Sequence, residues 1–104
     1  MSAPRVVPGR QPMTERDLER FVRDAARQFG WARYHTQHSI HSAAGWPDEA
    51  LARGHELILA ELKSDKGKLS PEQAKWLTIL GQVEVVKVRL WRPSDLDNIV
   101  ALLR

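Results

Sequence analysis

Apolar positions recur at helical spacing near the start of the chain. Leu18, Phe21, Val22, Ala25, Ala26 and Phe29 share one face, and Arg16, Arg20, Arg23 and Arg27 mark the other. Thr14-Glu-Arg-Asp17 fits a capping box with Asp in the third position, and Gly30 suits the residue just past the helix end. Glu15 falls on the apolar stripe rather than among the arginines. A first-turn charge that complements the helix dipole is one reading of it. Trp31–His35 reads as a strand, 36–46 as a polar loop, and Glu49–Ala52 as a short strand after Pro47-Asp48. Arg53–Glu56 is a turn. Leu57–Lys63 is nearly continuously apolar, which predicts a central strand covered on both faces.

Residues 64–69 form a charged loop around Gly67. Ser70-Pro-Glu-Gln73 opens a second helix, with Ser70 as cap, Pro71 at the first helical position and Gln73 completing a capping box. Trp76, Leu77 and Leu80 form its apolar face, and Gly81 ends it. Val83–Trp91 alternates as a fourth strand, Arg92-Pro93 breaks it, and Ser94 caps a last helix carrying Leu96, Ile99, Val100 and Leu103. Residues 1–12, with Pro4, Pro8, Pro12 and Gly9, read as a flexible leader to a single domain over 13–104. The order α-β-β-β-α-β-α predicts an α/β fold with a mixed four-stranded sheet flanked by helices.

Composition narrows the class. A chain of 104 residues, 42% hydrophobic and without cysteine, has room for one core and can form neither a disulfide framework nor a thiolate zinc site. No segment is apolar for long enough to cross a bilayer or to read as a signal peptide, so a soluble cytoplasmic protein with no membrane partner is expected. Sixteen Lys and Arg against thirteen Asp and Glu lean toward a polyanionic partner. Carboxylates inside both basic regions suit a nuclease better than a pure clamp, because they repel phosphate but hold cations.

Three residues carry the chemistry. Glu61 and Lys63 project from one face of the central strand. If Gly54-His55 is a two-residue hairpin loop, the pairing runs from 53 with 56 down to 48 with 61, and Asp48 faces Glu61. Carboxylates directly opposite on paired strands sit about 4.5–5.5 Å apart at Cβ and repel unless a cation lies between them. Hard oxygen ligands favour magnesium or manganese. The plainer reading is a salt bridge from Lys63 to Glu61 or Asp48. His35, His38 and His41 have the wrong spacing for a helical zinc pair, and His35, ending a strand near Asp48, suits phosphate contact or packing. Trp46, beside Pro47-Asp48, suits substrate contact, whereas Trp76 suits the core. Lys66 and Lys68 suit backbone phosphates, and His55 suits solvent.

Pro47-Asp48, twelve residues, then Glu61-Leu-Lys63 resembles the PD-(D/E)XK nuclease motif. The longer run resembles the stand-alone, phage-type VRR-NUC domains of that superfamily, related to Holliday junction resolvases. It takes in Gly30-Trp31, Tyr34-His35, Ser42, Gly45-Trp-Pro-Asp48, Glu61-Leu-Lys63, Gly67-Lys-Leu-Ser-Pro-Glu-Gln73 and Trp91-Arg-Pro-Ser-Asp95. Trp46 stands where that family more often has Phe.

The resemblance implies a restriction-endonuclease-like core and a metal-dependent endonuclease acting on double-stranded or branched DNA, such as four-way junctions. Asp48, Glu61, the Leu62 carbonyl and Glu15 would hold Mg2+ or Mn2+. Lys63 would position water and stabilise charge, Gln73 would support the site, and Ser42 would join His35, Trp46, Lys66 and Lys68 against DNA. A homodimer is implied too, and Ile99, Val100, Leu102 and Leu103, apolar on more than one face of the last helix, offer surface for it. The rival readings are a nucleic-acid-binding module that does not cleave, and an interaction domain whose Glu-x-Lys is a surface salt bridge.

Overall fold

The computed structural model describes residues 12–37 and 43–104. Its elements are α1 (Glu15–Gln28), β1 (Ala32–His35), β2 (Glu49–Arg53), β3 (Glu56–Leu62), α2 (Pro71–Gly81), β4 (Val86–Trp91), a 3-10 turn over Pro93–Asp95, and α3 (Leu96–Leu103). The four strands form one sheet in the order β1-β2-β3-β4, with β1, β2 and β3 antiparallel in turn and β4 parallel to β3. The order of helices and strands is the expected one, and the sheet is mixed because α2 carries the chain back to the start of β3.

Local signals set the helix ends. Thr14 Oγ1 accepts from the Asp17 N–H at 3.1 Å while Asp17 Oδ2 accepts from the Thr14 N–H at 3.1 Å. At the far end, Gly30 takes φ +78°, and the Trp31 N–H reaches the Ala26 carbonyl at 2.8 Å, which satisfies the last turn of α1. Ser70 and Gln73 repeat the reciprocal cap on α2.

The core lies between one sheet face and α1 with α3. Leu18, Phe21, Val22, Ala25 and Ala26 of α1 meet Leu51, Ile58 and Leu62 of the sheet and Ile99, Val100 and Leu103 of α3. Trp31 donates its ring N–H to the Leu103 carbonyl at 2.8 Å, and the Arg53 guanidinium lies 4.3 Å from the centre of its ring. Residues 58–62 of β3 are buried on both faces, as its apolar run predicts.

Four expectations need correction. The fourth strand starts at Val86, not Val83, because Val83–Val86 closes a turn (Val86 N–H to Val83 O, 3.2 Å) that brings the chain into register with Leu57. Ser94 does not cap α3. It sits in the 3-10 turn, with its N–H on Asp65 Oδ1 at 3.0 Å. Trp76 is only half-buried, and its ring N–H donates to the Ala44 carbonyl at 3.0 Å, so it anchors a loop instead of filling the core. Ile99, Val100 and Leu103 are buried inside the protomer and Leu102 packs against the same core, so α3 has little apolar surface left for a second copy. The leader reading falls on residues outside those described, apart from Pro12.

One glycine fixes how the segment before β2 meets α2. Gly45 has φ +86°, and a Cβ there would stand 2.4–2.6 Å from backbone atoms of Glu72 and Gln73. Gly45→Ala should therefore lower the unfolding free energy by about 2–4 kcal/mol, combining left-handed strain with overpacking. Gly30→Ala, at φ +78° but with nothing within 4 Å, should lose only the strain component, about 1 kcal/mol. Urea denaturation of the two variants checks the difference.

Candidate active site

The site is built on the β2–β3 hairpin. Gly54 at φ +59°, with no positive φ at His55, gives the two-residue turn that closes Arg53 onto Glu56. Pairing then steps through Ala52–Leu57, Leu51–Ile58 and Ala50–Leu59 to Glu49–Ala60. One step further places Asp48 across from Glu61, as the turn arithmetic predicts. Both are buried, at 6% and 1% exposure.

Asp48 is fixed on several sides. Its Oδ2 accepts the Leu62 N–H at 2.9 Å, its carbonyl accepts the Thr36 N–H at 2.8 Å, and Thr36 Oγ1 donates to the Pro47 carbonyl at 2.7 Å. Glu61 is different. Its Oε2 is buried with no hydrogen-bond partner among the described residues. Burial pushes its carboxyl up to about 9, helped by a hydrogen bond from the acid to Asp48 and by the charges of Asp48 and Glu15, while Lys63 pulls the other way. Two carboxyl groups thus share a dry space with an oxygen to spare. An all-oxygen donor set with an orphaned buried oxygen fits a small hard cation such as Mg2+ or Mn2+.

Glu15, at the first position of α1, lines a cleft of about 240 Å³ with Arg16, Glu19, His35, Asp48 and Leu62. The structure therefore brings together Glu15, His35, Asp48, Glu61 and Leu62. Lys63 follows directly on β3, its N–H bonded to the Trp91 carbonyl at 3.0 Å. The loop beyond it is clamped by Arg92, whose Nη1 donates to the carbonyls of Ser64 (2.6 Å), Asp65 (3.3 Å) and Gly67 (2.7 Å). Lys66 and Lys68 stand exposed on that loop. Gln73 keeps its amide oxygen on the Ser70 N–H at 2.8 Å, so this oxygen serves the helix cap. Trp46 is half-buried and packs edge-on against Trp76, ring centres 5.0 Å apart. His55 is exposed in its turn. Ser42, His38 and His41 lie outside the described residues.

Sequence reasoning missed Glu19, Arg33 and Glu49. Glu49 is fully buried and receives Arg33 Nε at 2.5 Å, Arg33 Nη2 at 3.0 Å and His35 Nδ1 at 2.5 Å. Glu19 stands 3.3 Å from Arg33 Nη2 and 3.6 Å from His35 Nε2. Ligand atoms of Glu19, His35 and Glu49 lie within 4.8 Å of one another, a second acidic and imidazole group that could hold a metal ion. Register could have revealed it: His35 pairs with Glu49, and Arg33, two residues back, shares that face.

A solved structure described as a VRR_NUC domain protein shares this fold, with a TM-score of 0.64 at 17% identity over 89% of this chain and 87% of that one. The likeness is one of fold, with the same arrangement of helices and mixed sheet. No protein-family model matches the sequence. No curated protein matches it either.

The shifted carboxyl makes a prediction. Between 4.5 and about 9 the folded protein holds a proton on Glu61 that the unfolded chain has lost, so this group's contribution to stability falls as pH rises through that window. Glu61→Gln, measured in chelator, should melt about 5 °C or more above the wild type at pH 8 and converge with it near pH 4. Added Mg2+ or Mn2+ should raise the wild-type melting temperature but not that of the variant. Calorimetric melts across pH check both, and parallel curves would remove the buried acid.

Proposed function

We propose that this chain is a metal-dependent endonuclease that hydrolyses DNA phosphodiester bonds. The observation that carries the reading is the buried Asp48–Glu61 pair, in which Glu61 Oε2 has no partner among the described residues, followed at Lys63 by a cation whose charge reaches Glu61. The shared VRR_NUC fold supports it. Asp48, Glu61, the Leu62 carbonyl and Glu15 are the residues that would hold Mg2+ or Mn2+. A divalent cation there supplies Lewis acidity toward the phosphodiester.

The protein's own groups do the remainder. Lys63 orients the attacking water and stabilises negative charge growing on the phosphate oxygens. Gln73 braces the site from the first turn of α2. His35, Trp46, Lys66 and Lys68 contact the DNA, and Ser42 joins them on the strength of the sequence alone. The substrate is double-stranded or branched DNA. Four-way junctions need two symmetric cuts, which one small domain supplies as a homodimer. The setting is the cytoplasm, that of the bacterial host cell if the chain is phage-encoded.

Supercoiled, linear and branched DNA incubated with Mg2+, Mn2+ or chelator test the reading. Cutting should require the cation, and Asp48→Ala or Glu61→Ala should abolish it without weakening DNA binding, since neither removes a group that attracts phosphate. Lys63→Ala should lose about 10²- to 10³-fold in rate while keeping metal affinity in calorimetry. Binding without cutting under every condition would identify a non-cleaving module instead.

Phosphate contacts also predict a salt dependence. Replacing Lys66 and Lys68 together by Ala should flatten the plot of log affinity against log salt by about 1.8 units. An unchanged slope would put the DNA path on another surface.

A further inference from the structure

The cleft beside Asp48 contains one imidazole among the described residues, and it is braced from behind. His35 ends β1 with Nδ1 2.5 Å from Glu49 Oε2 and Nε2 3.6 Å from Glu19 Oε1. Glu49 is fully buried, and Arg33 grips it through Nε at 2.5 Å and Nη2 at 3.0 Å. A buried carboxylate held by three charge-assisted contacts has little freedom to move. An ionised carboxylate only accepts hydrogen bonds, so His35 Nδ1 carries the proton of that contact. Nε2 is then left toward the cleft that His35 shares with Glu15 and Asp48. Glu19 is too far from Nε2 for a hydrogen bond.

We infer that Glu49 is a positioning residue that holds His35 with Nε2 aimed at a phosphodiester oxygen of DNA seated in the cleft, Arg33 fixing Glu49 in turn. The inference rests on the nuclease reading and adds the device that aims its phosphate contact. Phosphodiester oxygens only accept, so Nε2 donates to them. With Nδ1 donating to Glu49 as well, the ring in the complex carries a proton on each nitrogen. The charged groups facing His35 are Glu15, Arg16 and Glu19 from α1, Arg33 from β1, Asp48 just before β2 and Glu49 at its start. Arg33 is committed to the two glutamates, Glu19 and Glu49, so on β1 the phosphate contact falls to His35.

A double-mutant cycle on DNA affinity tests this, with a short duplex in chelator so that nothing is cut. His35→Gln should weaken binding about tenfold, the scale of one hydrogen bond to a charged group. Glu49→Gln should weaken it similarly, and the double variant should be no weaker than either single one, because Glu49 acts through His35. The ring nitrogens of His35 in the DNA complex, assigned by comparison with His35→Gln, should both show the ¹⁵N shifts of protonated nitrogens. Wild-type affinity in His35→Gln, additive losses in the double variant, or an unprotonated Nε2 in the complex would each overturn the inference. His35 is partly exposed at the cleft and its replacement spares the core, so that variant decides even if Glu49→Gln unsettles Arg33. Affinity is read without cleavage, so failure here is separable from failure of the nuclease reading, which the cation-dependent cutting assay judges alone.

Discussion

Everything around the candidate site follows from one juxtaposition, two carboxyl groups placed face to face in a dry space by the register of a hairpin. A two-residue turn at Gly54-His55 leaves the pairing no choice, and five steps later Asp48 meets Glu61. Asp48 has the Leu62 N–H to accept from, but one Glu61 oxygen has no partner among the described residues. Burying an ionised pair without compensation is expensive. The chain meets that demand by keeping a proton on Glu61, and a hard divalent cation can meet it in the proton's place. The instability of the pair is what a bound cation would relieve.

Such a pair must be held from outside, and the surrounding elements do so through backbone contacts. Gly45 lets the segment before Asp48 lie directly on the first turn of α2. Thr36 ties β1 to Pro47 and Asp48 through its N–H and its hydroxyl. On the far side, Arg92 gathers three carbonyls of the loop after Lys63, and its own N–H is held by Asp95 Oδ2 at 2.8 Å. The Thr36 and Arg92 links to carbonyls are long-range and end on backbone atoms. They fix positions without closing the cleft, which a layer of apolar side chains would fill.

What the sequence made legible was local. Both capping boxes, the glycine at the end of α1 and the hairpin turn involve residues at most five apart, and short-range chemistry decides them. The mixed sheet followed, because a tight hairpin and a helical crossover each allow few arrangements. Trp76 was misjudged because helical spacing says which side of α2 it lies on, not that a loop carbonyl waits there. The start of β4 was misplaced because Val83 and Val85 have strand propensity but are needed to turn the chain toward Leu57. The apolar character of α3 suggested a second copy, yet α1 and the sheet bury most of it. Glu49 escaped notice because its partners, Arg33 and His35, come from β1, and only the β1–β2 register brings them together.

That register also explains why two adjacent acids at the start of β2 have opposite fates. Successive strand residues point to opposite faces, so Asp48 and Glu49 enter different surroundings one peptide apart. Glu49 turns toward α1 and finds a guanidinium and an imidazole. Asp48 turns toward Glu61 and finds another acid. Both are buried, yet in the second arrangement one Glu61 oxygen has no hydrogen-bond partner among the described residues, and the Lys63 charge only partly offsets the burial. Glu19, His35 and Glu49 come close enough to hold a metal ion, but Arg33 already neutralises that group, and displacing it would leave a half-buried guanidinium to be satisfied elsewhere. Electrostatic demand, rather than the mere number of ligands, thus favours the Asp48–Glu61 face for an incoming divalent ion and leaves the Glu49 face as a rigid, charge-balanced support.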